Sequence, residues 1–343
     1  MKHKSIALGA AIAMTMIGCQ TTQTGAVEPQ NTSHVSQSVY EVEFLSAQAF
    51  KHQSTQLSQA MSAYCASTTE LEALKGQWHQ TMLAWMALQG QERGPEQALA
   101  QSWNIQFWPD KKNTTGRKMG GLVKQKHALT QSEIAMQSVT VQGLGAIEWL
   151  LFDTTSNLAP SSTTCITAQA ITANIELNAA KIAEAWSENP WTALDQKQWQ
   201  SEYIALLSNQ LEYSMKKMSR PLAAFGKPRP YFAESWRSET SMQNLKANIE
   251  AMQTLYFANG LGIDAALREK GKVALADSIA NQFAMTIETW PNNESLFDLL
   301  QTKKGYQNVY AQYNKLEQLK YLIHEEVAIE LGVVIGFNAT DGD

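Results

Sequence analysis

Val141-Gln-Gly-Leu-Gly-Ala-Ile-Glu-Trp-Leu-Leu-Phe152 sets one carboxylate, Glu148, inside an otherwise apolar run. Val141, Leu144, Glu148 and Leu151 recur at spacings of three and four, so on a helix they share one face. The stretch reads as a helix that puts Glu148 where a core residue belongs. An ionised carboxylate in an apolar layer is costly unless it is paired, hydrogen-bonded, bound to a cation or held protonated. Gly145 stands one turn before Glu148 and Gly143 two residues further back. A glycine costs roughly 1 kcal/mol relative to alanine in a helix interior. The missing side chains leave room for a small polar hollow beside the acid.

The same period extends in both directions. Tyr40, Phe44, Ala47, Phe50, Leu57, Met61 and Tyr64 recur at helical spacing, as do Leu71, Leu74, Trp78, Met82, Trp85 and Leu88 after a Ser-Thr-Thr break. Gly90, Gly94-Pro95, Pro109-Asp110, Gly116 and Gly120-Gly121 break residues 90 to 139 into short helices and turns. An insert of that length is usually a functional connection. Beyond the loop from Ser156 to Thr164, helical runs centre on Ile175, Leu206, Ile249, Phe283 and Leu316. No stretch alternates with period two for long enough to predict a strand. The chain is therefore expected to be all-α, with four long helices on each side of Pro190: two packed four-helix bundles, 34–189 and 190–343. Leu144-Gly-Ala-Ile-Glu148 and Leu261-Gly-Ile-Asp264 hint at a duplication.

At 343 residues and 44% hydrophobic content the chain can bury a large core. A net charge of -5 carries no nucleic-acid signature. Lys2, Lys4, the apolar run Ile6 to Ile17 and Gly18-Cys19 read as an export signal over residues 1–19, too short to span a membrane. Met16-Ile17-Gly18-Cys19 is similar to a bacterial lipoprotein cleavage box, in which Cys19 would carry the lipid. Gln20 in place of aspartate resembles the outer-membrane-directed class, which implies attachment to the periplasmic side of that membrane. Residues 20–33 are polar and low in bulk, and read as a flexible tether. Cys65 and Cys165 are either disulfide partners in an oxidising compartment or separate buried residues.

Four segments together resemble the imelysin family of bacterial exported proteins. They are Gly143-x-Gly145-x-x-Glu148, the Phe107-Trp108-Pro109-Asp110 turn, Ala233-Glu234-Ser-Trp-Arg237-Ser238, and the end from Leu331-Gly332 through Phe337-Asn338 to Asp343. The resemblance runs from about Ser33 to the C-terminus. It implies two helical bundles with the signature helix at their junction and a docked C-terminal tail. Members were first described as peptidases, and many are linked to iron uptake. The family signature is Gly-x-His-x-x-Glu, whose last two side chains would face the same way on a helix. This chain has Gly145 at the histidine position, so only Gly143 and Glu148 carry over. The imidazole, the group best suited to a transition metal or a proton near neutral pH, is missing there.

Glu148 has two readings: a structural acid pinned by an arginine, or part of a ligand site. Arg93, Arg117 and Arg237 are candidate partners, since a guanidinium can hold a carboxylate bidentately. Arg237, between Trp236 and Ser238, is favoured. Trp108-Pro109-Asp110 is either a helix stop with Asp110 capping the next turn, or part of the site. The predicted ligand-binding set is Gly143, Gly145, Glu148, Trp108, Asp110, Arg117, Glu234, Arg237 and Ser238, with Glu148 the single candidate metal ligand. Six histidines form no metal pattern, and no His-Glu-x-x-His run, Gly-x-Ser-x-Gly elbow or phosphate loop is present. No cofactor or catalytic residue is assigned. Three function classes follow: a lipid-anchored, periplasm-facing binding protein for a small molecule or ion, accessory to iron-uptake membrane components; a metal-dependent peptidase or other hydrolase using Glu148; or a structural protein with a vestigial pocket.

Overall fold

The computed structural model describes residues 33–291 and 295–333. The signal, Cys19, the tether up to position 32 and the terminal segment from position 334 lie outside the described residues. From His34 onward the described chain forms one compact unit. Among the described residues there is no strand, in agreement with the helical period of the sequence.

Two long helices open the unit, α1 (Gln37–Cys65) and α2 (Leu71–Met86). Residues 90 to 139 fold into the short helices α3 (Glu96–Leu99), α4 (Ser102–Ile105), α5 (Thr114–Leu122) and α6 (Gln131–Ala135). Then follow α7 (Leu144–Phe152), which carries Glu148, and the long α8 (Thr163–Ala185) and α9 (Gln196–Leu222). The C-terminal part comprises α10 (Ser241–Phe257), α11 (Ile263–Glu269), α12 (Val273–Glu288), α13 (Leu296–Leu299) and α14 (Lys303–Lys320). A π-helical stretch, Tyr321–Val327, continues α14 into α15 (Ala328–Leu331).

Local chemistry starts several of these elements. Thr130 accepts from the Glu133 amide while Glu133 reaches back to the Thr130 amide, and Asp195 and Gln198 do the same ahead of α9. α1 packs on α8 and α2, while α9 packs on α10 and α14. Trp78, Met82 and Trp85 on α2 are buried, and so are Ile249, Phe283 and Leu316 farther along the chain. One continuous apolar core runs from Val39 to Val333. Helix α2 touches both α7 and α10, so elements distant in sequence converge around Glu148. Cys65 at the end of α1 and Cys165 in α8 form a disulfide, with Cα atoms 5.7 Å apart.

The paired Leu-Gly segments share a local design in a shifted register. Gly143 and Gly262 each follow a 3-10 turn and precede the first residue of a helix. A Cβ on Gly143 would strike the Ile105 carbonyl, and one on Gly262 the Tyr256 carbonyl. By this alignment Asp264 matches Gly145, not Glu148, and it is bound in place by Arg268.

Candidate functional site

Helix α7 begins at Leu144, because Val139–Val141 is a separate 3-10 turn and Gly143 is the residue before the first helical turn. Val141 therefore does not share the helix face with Glu148. The glycines sit at the helix start, where an interior glycine penalty does not apply in full. Their roles diverge. Gly143 permits close packing on the Ile105 backbone, whereas a Cβ on Gly145 would meet nothing within 4 Å.

The space in front of Gly145 is a cleft of about 300 Å³, lined also by Met82, Trp108, Asp110, Glu148, Glu234 and Arg237. Lys111, Lys112, Tyr231 and Trp236 contribute to its wall, and Tyr231 is 63% exposed.

Glu148 is buried, and its Oε1 accepts three hydrogen bonds: from the Arg237 amide at 3.2 Å, the Ser238 amide at 3.0 Å and the Ser238 hydroxyl at 2.9 Å. The donors come from the turn between Ala233 and Thr240, in which Ser235 and Glu239 adopt left-handed φ values of 50° and 60°. Those conformations cost energy in non-glycine residues and curl the chain so that successive amides point at one acceptor. Burial raises the Glu148 carboxyl above its ordinary range. The Ser238 bonds and the Arg237 charge pull it back, while the charge of Glu234 pushes it up.

The predicted arginine partner of Glu148 is corrected by this geometry. Arg237 serves Glu148 through its backbone, while its guanidinium pairs with Asp153 at 3.0 Å, donates to Asn113 Oδ1 at 2.7 Å and lies 4.2 Å from the Trp236 ring centroid. The turn enters α10, so the guanidinium leaves it toward the C-terminal end of α7. Arg93 instead pairs with Glu202 at 3.4 Å. Arg117 is exposed on α5 and does not line the cleft. Asp110 caps α5, its two oxygens accepting from the Thr114 and Thr115 amides at 2.6 and 2.8 Å, and it also borders the cleft. Trp108 precedes a cis peptide to Pro109 and donates its indole N–H to the Phe232 carbonyl at 3.3 Å.

Beneath the cleft lies a buried ionic network that sequence reading missed. Lys217 Nζ stands 2.6 Å from Glu234 Oε2 and also donates to Gln89 Oε1 and Asn248 Oδ1 at 2.8 and 2.7 Å. Glu234 Oε1 accepts from Gln89 and Gln106 at 2.6 and 2.9 Å. Burial lowers the Lys217 ammonium from its usual range, opposed by the Glu234 carboxylate. A signal was available: Lys217 stands seven residues after the buried Gln210, on the same face of α9.

The donor set does not fit a transition metal. Position 145 has no imidazole, Asp110 is committed to backbone amides and Glu234 to Lys217. Among the described residues no three His, Cys, Asp or Glu side chains come together in ligand geometry.

The all-α fold is what the family resemblance implied, and the comparisons agree. The chain belongs to the imelysin family, whose model matches residues 45–323. It is similar in structure to an imelysin-like protein from Psychrobacter arcticum 273-4, with a TM-score of 0.76 at 19% identity, covering 88% of this chain and 96% of that one. It is also similar to an iron-regulated protein A precursor from Parabacteroides distasonis ATCC 8503, with a TM-score of 0.58 at 13% identity over 87% and 97% of the two chains. At those identities the likeness concerns the fold. No curated protein matches.

Proposed function

We propose that this protein is an exported, lipid-anchored binding protein facing the periplasm, with its ligand held in the cleft in front of Gly145 and against Glu148. The observation that carries this reading is the open space at Gly145 beside a carboxylate whose three hydrogen bonds all fall on Oε1. A carboxylate locked through one oxygen can present the other to a ligand. Lys111 and Lys112 in the same lining, with the Glu148 carboxylate, favour a small polar ligand with both donor and acceptor groups.

Export is supported by the Cys65–Cys165 disulfide, which belongs to an oxidising compartment, and by the apolar run that ends at Cys19. The family and the neighbour named for iron regulation support a place among the accessory proteins of iron-uptake membrane components.

Calorimetry with iron, zinc and copper tests the binding role against a metal-dependent hydrolase. The purified protein should bind none of them tightly, and Gly145→His should create binding that Glu148→Ala then abolishes. Stoichiometric tight metal in the unmodified protein overturns the reading. For the anchor, Cys19→Ala should move the protein out of the membrane fraction, and a variant that stays there removes that part of the proposal.

A further inference from the structure

A second cleft of about 390 Å³ lies beside the first. Gln106 and Trp108 line both, so this pair forms the wall between them. The second cleft differs in chemistry. Trp85, Trp103, Trp108 and Tyr213 supply aromatic surface, Glu92 supplies a carboxylate, and no lysine or arginine lines it. Trp103 is 53% exposed, with Phe107 as its ring neighbour at 5.7 Å. Trp108 and Tyr213 meet edge to face at 5.7 Å.

The amides in this wall are already engaged. Gln106 Oε1 accepts from Trp85 Nε1 at 3.0 Å and from Gln89, and its Nε2 donates to Glu234. A ligand read by hydrogen bonds, such as a sugar, therefore meets few free polar groups. Aromatic faces with a carboxylate at the edge instead attract a positive charge through the ring quadrupoles and by direct attraction.

We propose that this second cleft binds an organic ammonium cation, held over the exposed Trp103 ring with its charge toward Glu92. This does not depend on what the Glu148 cleft binds.

Tryptophan fluorescence of the full-length protein, titrated with choline, with the uncharged tert-butyl isostere of choline and with glucose, tests it. Choline should quench saturably, and the isostere should bind about tenfold more weakly, as loss of a cation–π contact implies. Trp103→Ala should abolish choline binding, and its exposure means the fold survives, which circular dichroism checks. Glu92→Gln should weaken binding several-fold and remove its salt dependence. Equal affinity for the isostere, saturable binding of glucose alone, no saturable binding of choline, or an unaffected Trp103→Ala variant would each overturn the proposal.

Discussion

Lys217 on α9 and Glu234 in the turn before α10 form an ion pair of 2.6 Å with both side chains buried, in the layer directly under the Glu148 cleft. Removing one member leaves the other charge unpaired in a low-dielectric interior. Lys217→Met should lower unfolding stability by about 3–5 kcal/mol. Adding Glu234→Gln should restore most of the loss, because no orphan charge then remains. Denaturant melts of the single and double variants measure this, and a double variant as unstable as the single one would contradict a charge-pairing role.

Ser238 and Arg237 are separable. Ser238→Ala removes the hydroxyl donor at 2.9 Å from Glu148 and should cost about 1–2 kcal/mol. Arg237→Ala keeps the backbone amide on Glu148 and loses the guanidinium's contacts with Asp153, Asn113 and the Trp236 ring, for a cost of about 2–3 kcal/mol. A ligand bound through Glu148 should thus respond more to Ser238→Ala. If binding instead collapses only in Arg237→Ala, the guanidinium contacts the ligand and the assignment to Glu148 fails.

The two glycines predict opposite signs. Gly145→Ala meets open space and should stabilise by about 0.5–1 kcal/mol while shrinking the cleft. Gly143→Ala drives a Cβ into the Ile105 carbonyl and should cost about 1–3 kcal/mol. Thermal melts of the two variants decide, and a destabilised Gly145→Ala would show that the space is not free.

Glu43 on α1 is buried with Gln91 donating to its Oε2, and Oε1 has no partner among the described residues. Burial pushes its carboxyl up to about 8, opposed by the Gln91 bond. In the unfolded chain the group ionises near its ordinary value of 4.5, so across that window the unfolded chain holds fewer protons and stability falls as pH rises. The loss from this group alone is on the order of 3–5 kcal/mol. Glu43→Gln should flatten the slope, as denaturant midpoints at the two ends of the window would show. An unchanged slope would mean that Glu43 is ionised in the fold.

Much of the site's membership was readable along the chain. Trp108, Asp110, Gly145, Glu148, Glu234 and Arg237 line one cleft, and each stands in one of the short segments that resemble the family. Their partners were not readable. The charge of Arg237 suits Glu148, yet a turn with two left-handed residues aims its amide at that acid and its guanidinium at Asp153. Arg117, equally basic, points into solvent. Lys217 and Glu43 sit on buried helix faces at helical spacing, where a charged residue in the pattern is easily passed over as solvated.

By itself the sequence determined the all-α class and most core positions, because a helix closes its hydrogen bonds within four residues and its 3.6-residue period is written locally. It also determined that one acid stands in an apolar stretch with no side chain at position 145. Tertiary structure alone decided what that acid meets. Its donors come from a turn 89 and 90 residues away, and the Lys217 pair, the open space at Gly145 and the wall between the two clefts exist only once α2, α7, α9 and α10 have converged. Contacts at such separations depend on how several helices pack together, and no local period encodes that.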